Sequence, residues 1–158
     1  MLRCLSLIFL AAAAALAATP EDQARAVLDQ WKAATGAKDI DAASRLLAKD
    51  CVVIMTEPSA DAKHARFFTR ESYLKLLKER FSTIAATTSK DTTHAISASE
   101  TGDVFVTDEF EERTKVGQRS ELFRYYVYMV MRPIEGKMLI QFVVSQLTFY
   151  FPDVPSAP

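Results

Sequence analysis

Residues 103–151 read DVFVTDEFEERTKVGQRSELFRYYVYMVMRPIEGKMLIQFVVSQLTFYF, and the fold turns on this stretch. It holds three strand-length runs, Val104 to Thr114, Leu122 to Arg132 and Met138 to Phe151, separated by polar breaks at Lys115 to Ser120 and Pro133 to Lys137. Side chains of a strand alternate between its two faces. In the second run Phe123, Tyr125, Val127, Met129 and Met131 share one face, and Leu122, Tyr126, Tyr128 and Val130 share the other. With apolar groups on both sides, neither face can be left in water. Helices or the sheet's own curvature must cover one side, and a partner subunit or a bound ligand the other.

Upstream, Met1 to Arg3 form a positive end, Leu5 to Leu16 an apolar run too short to span a bilayer, and Ala15-Leu16-Ala17 a small-x-small pattern. These predict a signal peptide over residues 1–17, cut after Ala17 or one residue later, rather than an uncleaved anchor. The mature protein is then exported, periplasmic or secreted, with no membrane attachment. Removing 17 of 158 residues leaves one domain's worth of chain, able to bury about two-thirds of its unfolded surface. The signal carries one basic residue, so 18 Lys plus Arg face 20 Asp plus Glu, too even a balance to attract nucleic acid or an anionic membrane. Cys4 leaves with the signal, so Cys51 has no internal disulfide partner. Preceding Val52, Val53 and Ile54, it reads as a buried structural thiol.

Thr19-Pro20-Glu21-Asp22 marks a helix start, with a hydroxyl cap, proline at the first helical position and acids at the positive end of the dipole. Ala24, Val27, Leu28, Trp31 and Ala34 make its inner stripe, and Gly36 is the expected left-handed stop. Asp39 caps a shorter helix lined by Ile40, Ala43, Leu46 and Leu47, and the two should pack as a hairpin. Cys51 to Thr56 reads as a strand closed by Pro58, Glu57 to Lys63 as a loop, and His64 to Phe68 as a small edge strand. Thr69 caps a third helix, Arg70 to about Ile84, with Tyr73, Leu74, Leu77 and Phe81 inward. Ala86 to Thr92 lacks periodicity and reads as a polar linker. His94 to Ser99 then alternates weakly and turns at Thr101-Gly102-Asp103 into the long strands. One domain over residues 18–151 is expected, with Pro152 to Pro158 a flexible tail. Helices set apart from a run of hairpins indicate an α+β fold.

Element order, length, the Thr69-Arg70-Glu71-Ser72 start of the third helix, and a last strand after the Glu135-Gly136-Lys137 turn resemble the nuclear transport factor 2-like superfamily. That superfamily includes SnoaL-like and ketosteroid isomerase-like proteins, and the resemblance covers nearly the whole mature chain. It implies a cone in which a curved antiparallel sheet wraps around the long helix and leaves a pocket open at one end. It also implies dimerisation through the outer face of the sheet.

Strong chemical signatures are absent. His64 and His94 stand alone and thirty residues apart, four glycines build no phosphate loop, and no nucleophile triad has a histidine to serve it. The reading therefore needs no metal and no cofactor. The best polar set lies on the strands. Asp108 alternates with Val104, Val106 and Phe110 and points to their face, where a desolvated carboxylate can act as a base, or can sit at the rim paired with an arginine. Glu112 lies further along that face, and Arg124, Tyr126 and Tyr128 share one face of the next strand. Should those faces meet, an acid, an arginine and two phenols surround one space, a pocket for an anion or polar ligand. The competing reading is a subunit interface, where Tyr and Arg are also enriched. Gln146 and Ser145 on the last strand share this ambiguity, since a one-residue slip reverses every face. Trp31 and Tyr73 lie on helical core stripes and serve as core aromatics or as rings on which a ligand stacks.

The resemblance supplies a check. Ketosteroid isomerase-like catalysis pairs a base carboxylate with a tyrosine and a protonated acid. Asp108 and Tyr126 or Tyr128 fit the first two roles, and no second acid stands opposite them. Neither the pocket histidines of dehydratase-like members nor the Asp-Arg-Asp set of limonene epoxide hydrolase-like members is visible. Three expectations remain. The first is an exported, dimeric binding or accessory protein holding a small apolar or mixed ligand through Trp31, Tyr73, Arg124, Tyr126, Tyr128 and Gln146. The second is a cofactor-free isomerase, dehydratase or hydrolase with Asp108 as its catalytic base. The third is an interaction module docking another protein through the sheet face. An enzyme should show Asp108 in a roomy cavity within reach of Tyr126 or Tyr128, a binder an apolar cavity without that pairing, and an interaction module no cavity.

Overall fold

The structure, a computed structural model, describes residues 18–56, 65–117 and 119–152. Residues 1–17, read above as a signal peptide, the whole 57–64 connection with His64, residue 118, and the tail beyond Pro152 lie outside the described residues. Helix α1 spans Pro20–Gly36, α2 Ile40–Leu46 and α3 Arg70–Thr83. Strand β1 spans Leu47–Thr56, β2 Arg66–Thr69, β3 Ala86–Ala98, β4 Val104–Val116, β5 Arg119–Ile134 and β6 Lys137–Pro152. Among the described residues, no helix is long and apolar enough to cross a membrane.

All three helices start at the side chains that signal them. Thr19 and Asp22 form a reciprocal capping box on α1, Asp39 accepts from the Ala42 amide, and Thr69 accepts from the Ser72 amide. The end of α1 differs from expectation. Gly36 is its last helical residue, and the left-handed position falls on Lys38, with φ of 57°. The Ala86 to Thr92 segment is also not a linker, since it forms the first half of β3 and pairs along its length with β4. Its threonines and serines hide the strand because β3 is an edge whose outer rim meets water, where polar side chains are favoured.

The sheet order is β2-β1-β6-β5-β4-β3. Every pairing is antiparallel except β1 with β6, so the curved, open sheet is mixed. The β5–β6 turn uses Glu135 and Gly136, both at positive φ (51° and 77°), which matches a tight hairpin to the twist of its strands. Register decides the faces. Val104, Val106 and Asp108 of β4 and Tyr125, Val127, Met129 and Met131 of β5 are buried, and they pack with Met138, Ile140 and Val143 of β6 against Ala24, Val27 and Leu28 of α1. Each fully buried Val, Met or Ile side chain contributes about 1.5–3 kcal/mol by leaving water. The helices therefore cover the concave face. Glu21 of α1 also accepts from the Ala98 amide at 3.1 Å, fixing the helix to the edge strand.

Candidate functional site

Between α1, α3 and the inner face of β3, β4 and β5 lies a cavity of about 190 Å³. Leu28, Trp31, Leu77, Phe81, Phe110 and Met129 give it an apolar wall. Trp31 and Tyr73 stack with ring centroids 6.3 Å apart and planes inclined by 14°. Phe110, Tyr125 and Phe123 continue the aromatic surface along the strands, with centroids 4.7 Å and 6.0 Å apart. Helical spacing explains how polar groups reach this surface. Arg80 follows Tyr73 by seven residues, two turns along the inner stripe of α3, whereas Lys38 lies two residues past the end of α1.

Two ion pairs are set into the wall. Lys32 Nζ of α1 lies 3.5 Å from Asp108 Oδ2, whose side chain is 3% exposed. Arg80 of α3 donates through Nη2 to Glu112 Oε2 at 2.5 Å, and its guanidinium stands 5.8 Å from the centre of the Phe123 ring. Burial raises the Glu112 carboxyl above the usual glutamate range, with Arg80 pulling it back only in part. Burial pulls the Arg80 guanidinium down, but Glu112 and the hydrogen-bonded Tyr125 hydroxyl outweigh it and leave it raised. Burial pushes the Tyr73 phenol up to about 12 and also raises Tyr125, so both are neutral hydroxyls at physiological pH. Also in the cavity lining, Lys38 Nζ donates to the Ile84 carbonyl just past α3. Among the described residues, no three metal-ligating side chains come together.

The residues singled out from the sequence divide between two faces. Asp108, Trp31 and Tyr73 line the cavity. Arg124, Tyr126, Tyr128 and Gln146 lie on the outer face of the sheet. The space expected to be shared by an acid, an arginine and two phenols does not form. Asp108 pairs with Val127, so it points inward while Tyr126 and Tyr128, on either side of Val127, point outward. Arg124 instead bridges Glu111 at 3.2 Å and Glu109 at 3.9 Å, and it covers the Phe149 ring. Tyr128 stacks on Phe105, and Gln146 pairs with Tyr126 across β5 and β6. Sequence reading passed over Lys32, Lys38 and Arg80. For Lys32 and Arg80 the signal was present in the cations that interrupt two apolar helix stripes, whereas Lys38, past the end of α1, lies on neither.

This architecture is the nuclear transport factor 2-like cone fold. No family model matches the chain, and no curated protein matches its sequence. Solved structures do match in shape. A type 2 hexachlorocyclohexane dehydrochlorinase (LinA) superposes with a TM-score of 0.68 at 10% identity, covering 86% of this chain and 91% of its own. A ketosteroid isomerase-like protein from Erwinia carotovora atroseptica gives 0.61 at 15% identity, covering 79% and 93%. An NTF2-like protein from Cytophaga hutchinsonii gives 0.64 at 13% identity, covering 80% and 96%. At such identities the likeness is one of fold.

Proposed function

We propose that this is an exported, homodimeric binding or accessory protein whose cone holds one small, largely apolar molecule. The carrying observation is the cavity itself, walled by Trp31, Tyr73, Phe110 and Met129, with four of its charged groups gathered into two ion pairs. Apolar walls with a few placed polar contacts favour retention of a small organic ligand. Export rests on the basic end, apolar run and Ala15-Leu16-Ala17 site of the first 17 residues. Dimerisation rests on the outer sheet face, where Val52, Phe105, Tyr126 and Phe149 are exposed large apolar groups.

A second reading, cofactor-free catalysis, is favoured by one observation: a buried carboxylate, Asp108, stands in the cavity beside the Lys32 ammonium. A base there would act with Lys32 holding developing negative charge. The tyrosines first cast as its partners face the other way, which favours binding over turnover. Native mass spectrometry of the purified mature chain, followed by solvent extraction, tests the proposal. A dimer beginning at Ala18 or Thr19 and releasing a small apolar compound supports it. An intact Met1 refutes export.

A further inference from the structure

The described charges lining the cavity do not balance. Lys32, Lys38 and Arg80 are cationic, and Asp108 and Glu112 are anionic. Each carboxylate is already bridged, Asp108 by Lys32 and Glu112 by Arg80. Among the described residues, no carboxylate bridges Lys38. Among those residues its one hydrogen bond is to the Ile84 carbonyl, which leaves two of its three N–H groups to face the lining of an apolar cavity.

The backbone beneath Lys38 adds a second observation. At φ of 57° it occupies the left-handed region, where glycine or asparagine is favoured and a lysine is strained. Gly36 lies two residues earlier and does not take up that conformation. Folding alone would favour a small residue here, whereas a side chain needed at the site explains a lysine held against its preference.

Resting on the binding function proposed above, we infer that the ligand is a monoanion, a one- or two-ring apolar body bearing a single carboxylate or similar acidic group that Lys38 receives in the cavity wall. The size follows from the cavity, because about 150 Å³ of apolar space already accepts a benzene ring and this cavity is somewhat larger. The charge follows from pairing. An anion completes the third ion pair, whereas a neutral ligand of the same shape desolvates Lys38 without giving it a partner. The Trp31–Tyr73 stack gives the ring system a flat surface on which to lie.

The test compares 2-naphthoate with its neutral isostere 2-naphthamide by isothermal titration calorimetry on the mature protein. Wild type should bind the carboxylate about tenfold more tightly, the difference between a charge-assisted and a neutral hydrogen bond. In Lys38→Gln the ratio should collapse toward one. Lys38→Asn, which tolerates the left-handed backbone, should behave alike and excludes misfolding as the cause. A purely structural tether to Ile84 would weaken both ligands together and leave the ratio intact, which overturns the inference. Equal affinities in wild type also overturn it while leaving the cavity reading standing. Binding of neither ligand to wild type overturns both.

Discussion

Lys32 Nζ lies 3.5 Å from Asp108 Oδ2, joining the C-terminal half of α1 to β4 across the cavity wall. The lysine is 31% exposed and the aspartate 3%, so water screens the pair from one side only. Lys32→Met should destabilise the protein by about 1–2 kcal/mol, between the values for surface and fully buried pairs. A double-mutant cycle with Asp108→Asn in urea should return a coupling of at least about 0.5 kcal/mol. Strict additivity would mean that the two groups do not interact in solution.

Glu112 gives the stability a pH dependence of definite sign. Burial raises its carboxyl above 4.5, with Arg80 opposing, so the folded state holds the proton more tightly than the unfolded chain. Its contribution is then fully present below pH 4.5 and is lost as pH rises through the folded-state value. Relative to Glu112→Gln, which does not titrate, wild type should gain stability as pH falls from neutral toward 4.5. A difference in urea midpoints that stays constant with pH, or grows the other way, would contradict this.

Cys51 should be inert while the protein is folded. Its residue is 1% exposed, and burial, aided by Asp50, pushes the thiol up to about 11. At pH 8 only about one thiol in a thousand is then ionised, three units below that value. Iodoacetamide at pH 8 should leave the native mass unchanged and add one adduct in urea. Rapid native labelling would show that β1 opens.

The outer face should carry the dimer. Tyr126 is 42% exposed there, opposite Glu109, and Tyr126→Glu would place like charges side by side on an apolar surface. Light scattering should give a dimer for wild type and a monomer for the variant. A wild-type monomer, or a variant that remains dimeric, would remove this face as the interface.

What the sequence revealed follows the range of the forces involved. Thr19, Asp39 and Thr69 announced their helices because capping is settled within three residues. Strands β4 to β6 were equally plain, since alternation and turn residues are local. The inward direction of Asp108 could be read from Val104, Val106 and Phe110 beside it. Which face of β5 looks inward could not, because Tyr125 and Tyr126 are neighbours and both faces are apolar. Only the packing of α1 and α3 breaks that symmetry. The same distance hid the ion pairs. Arg80 and Glu112 are 32 residues apart, and Lys38 reaches 46 residues to Ile84. The single parallel pairing of β1 with β6 was hidden likewise, since no local pattern specifies it.

The central claim is that the cone holds a small apolar molecule, and Trp31 makes it measurable. It is the chain's one tryptophan and stands in the cavity wall. Titration with the apolar dye N-phenyl-1-naphthylamine should quench Trp31 emission saturably at one dye per chain. Thr35→Phe, which pushes a ring into the cavity from α1, should abolish that quenching in a protein with unchanged circular dichroism. No saturable quenching in wild type, or equal quenching in Thr35→Phe, would contradict the account.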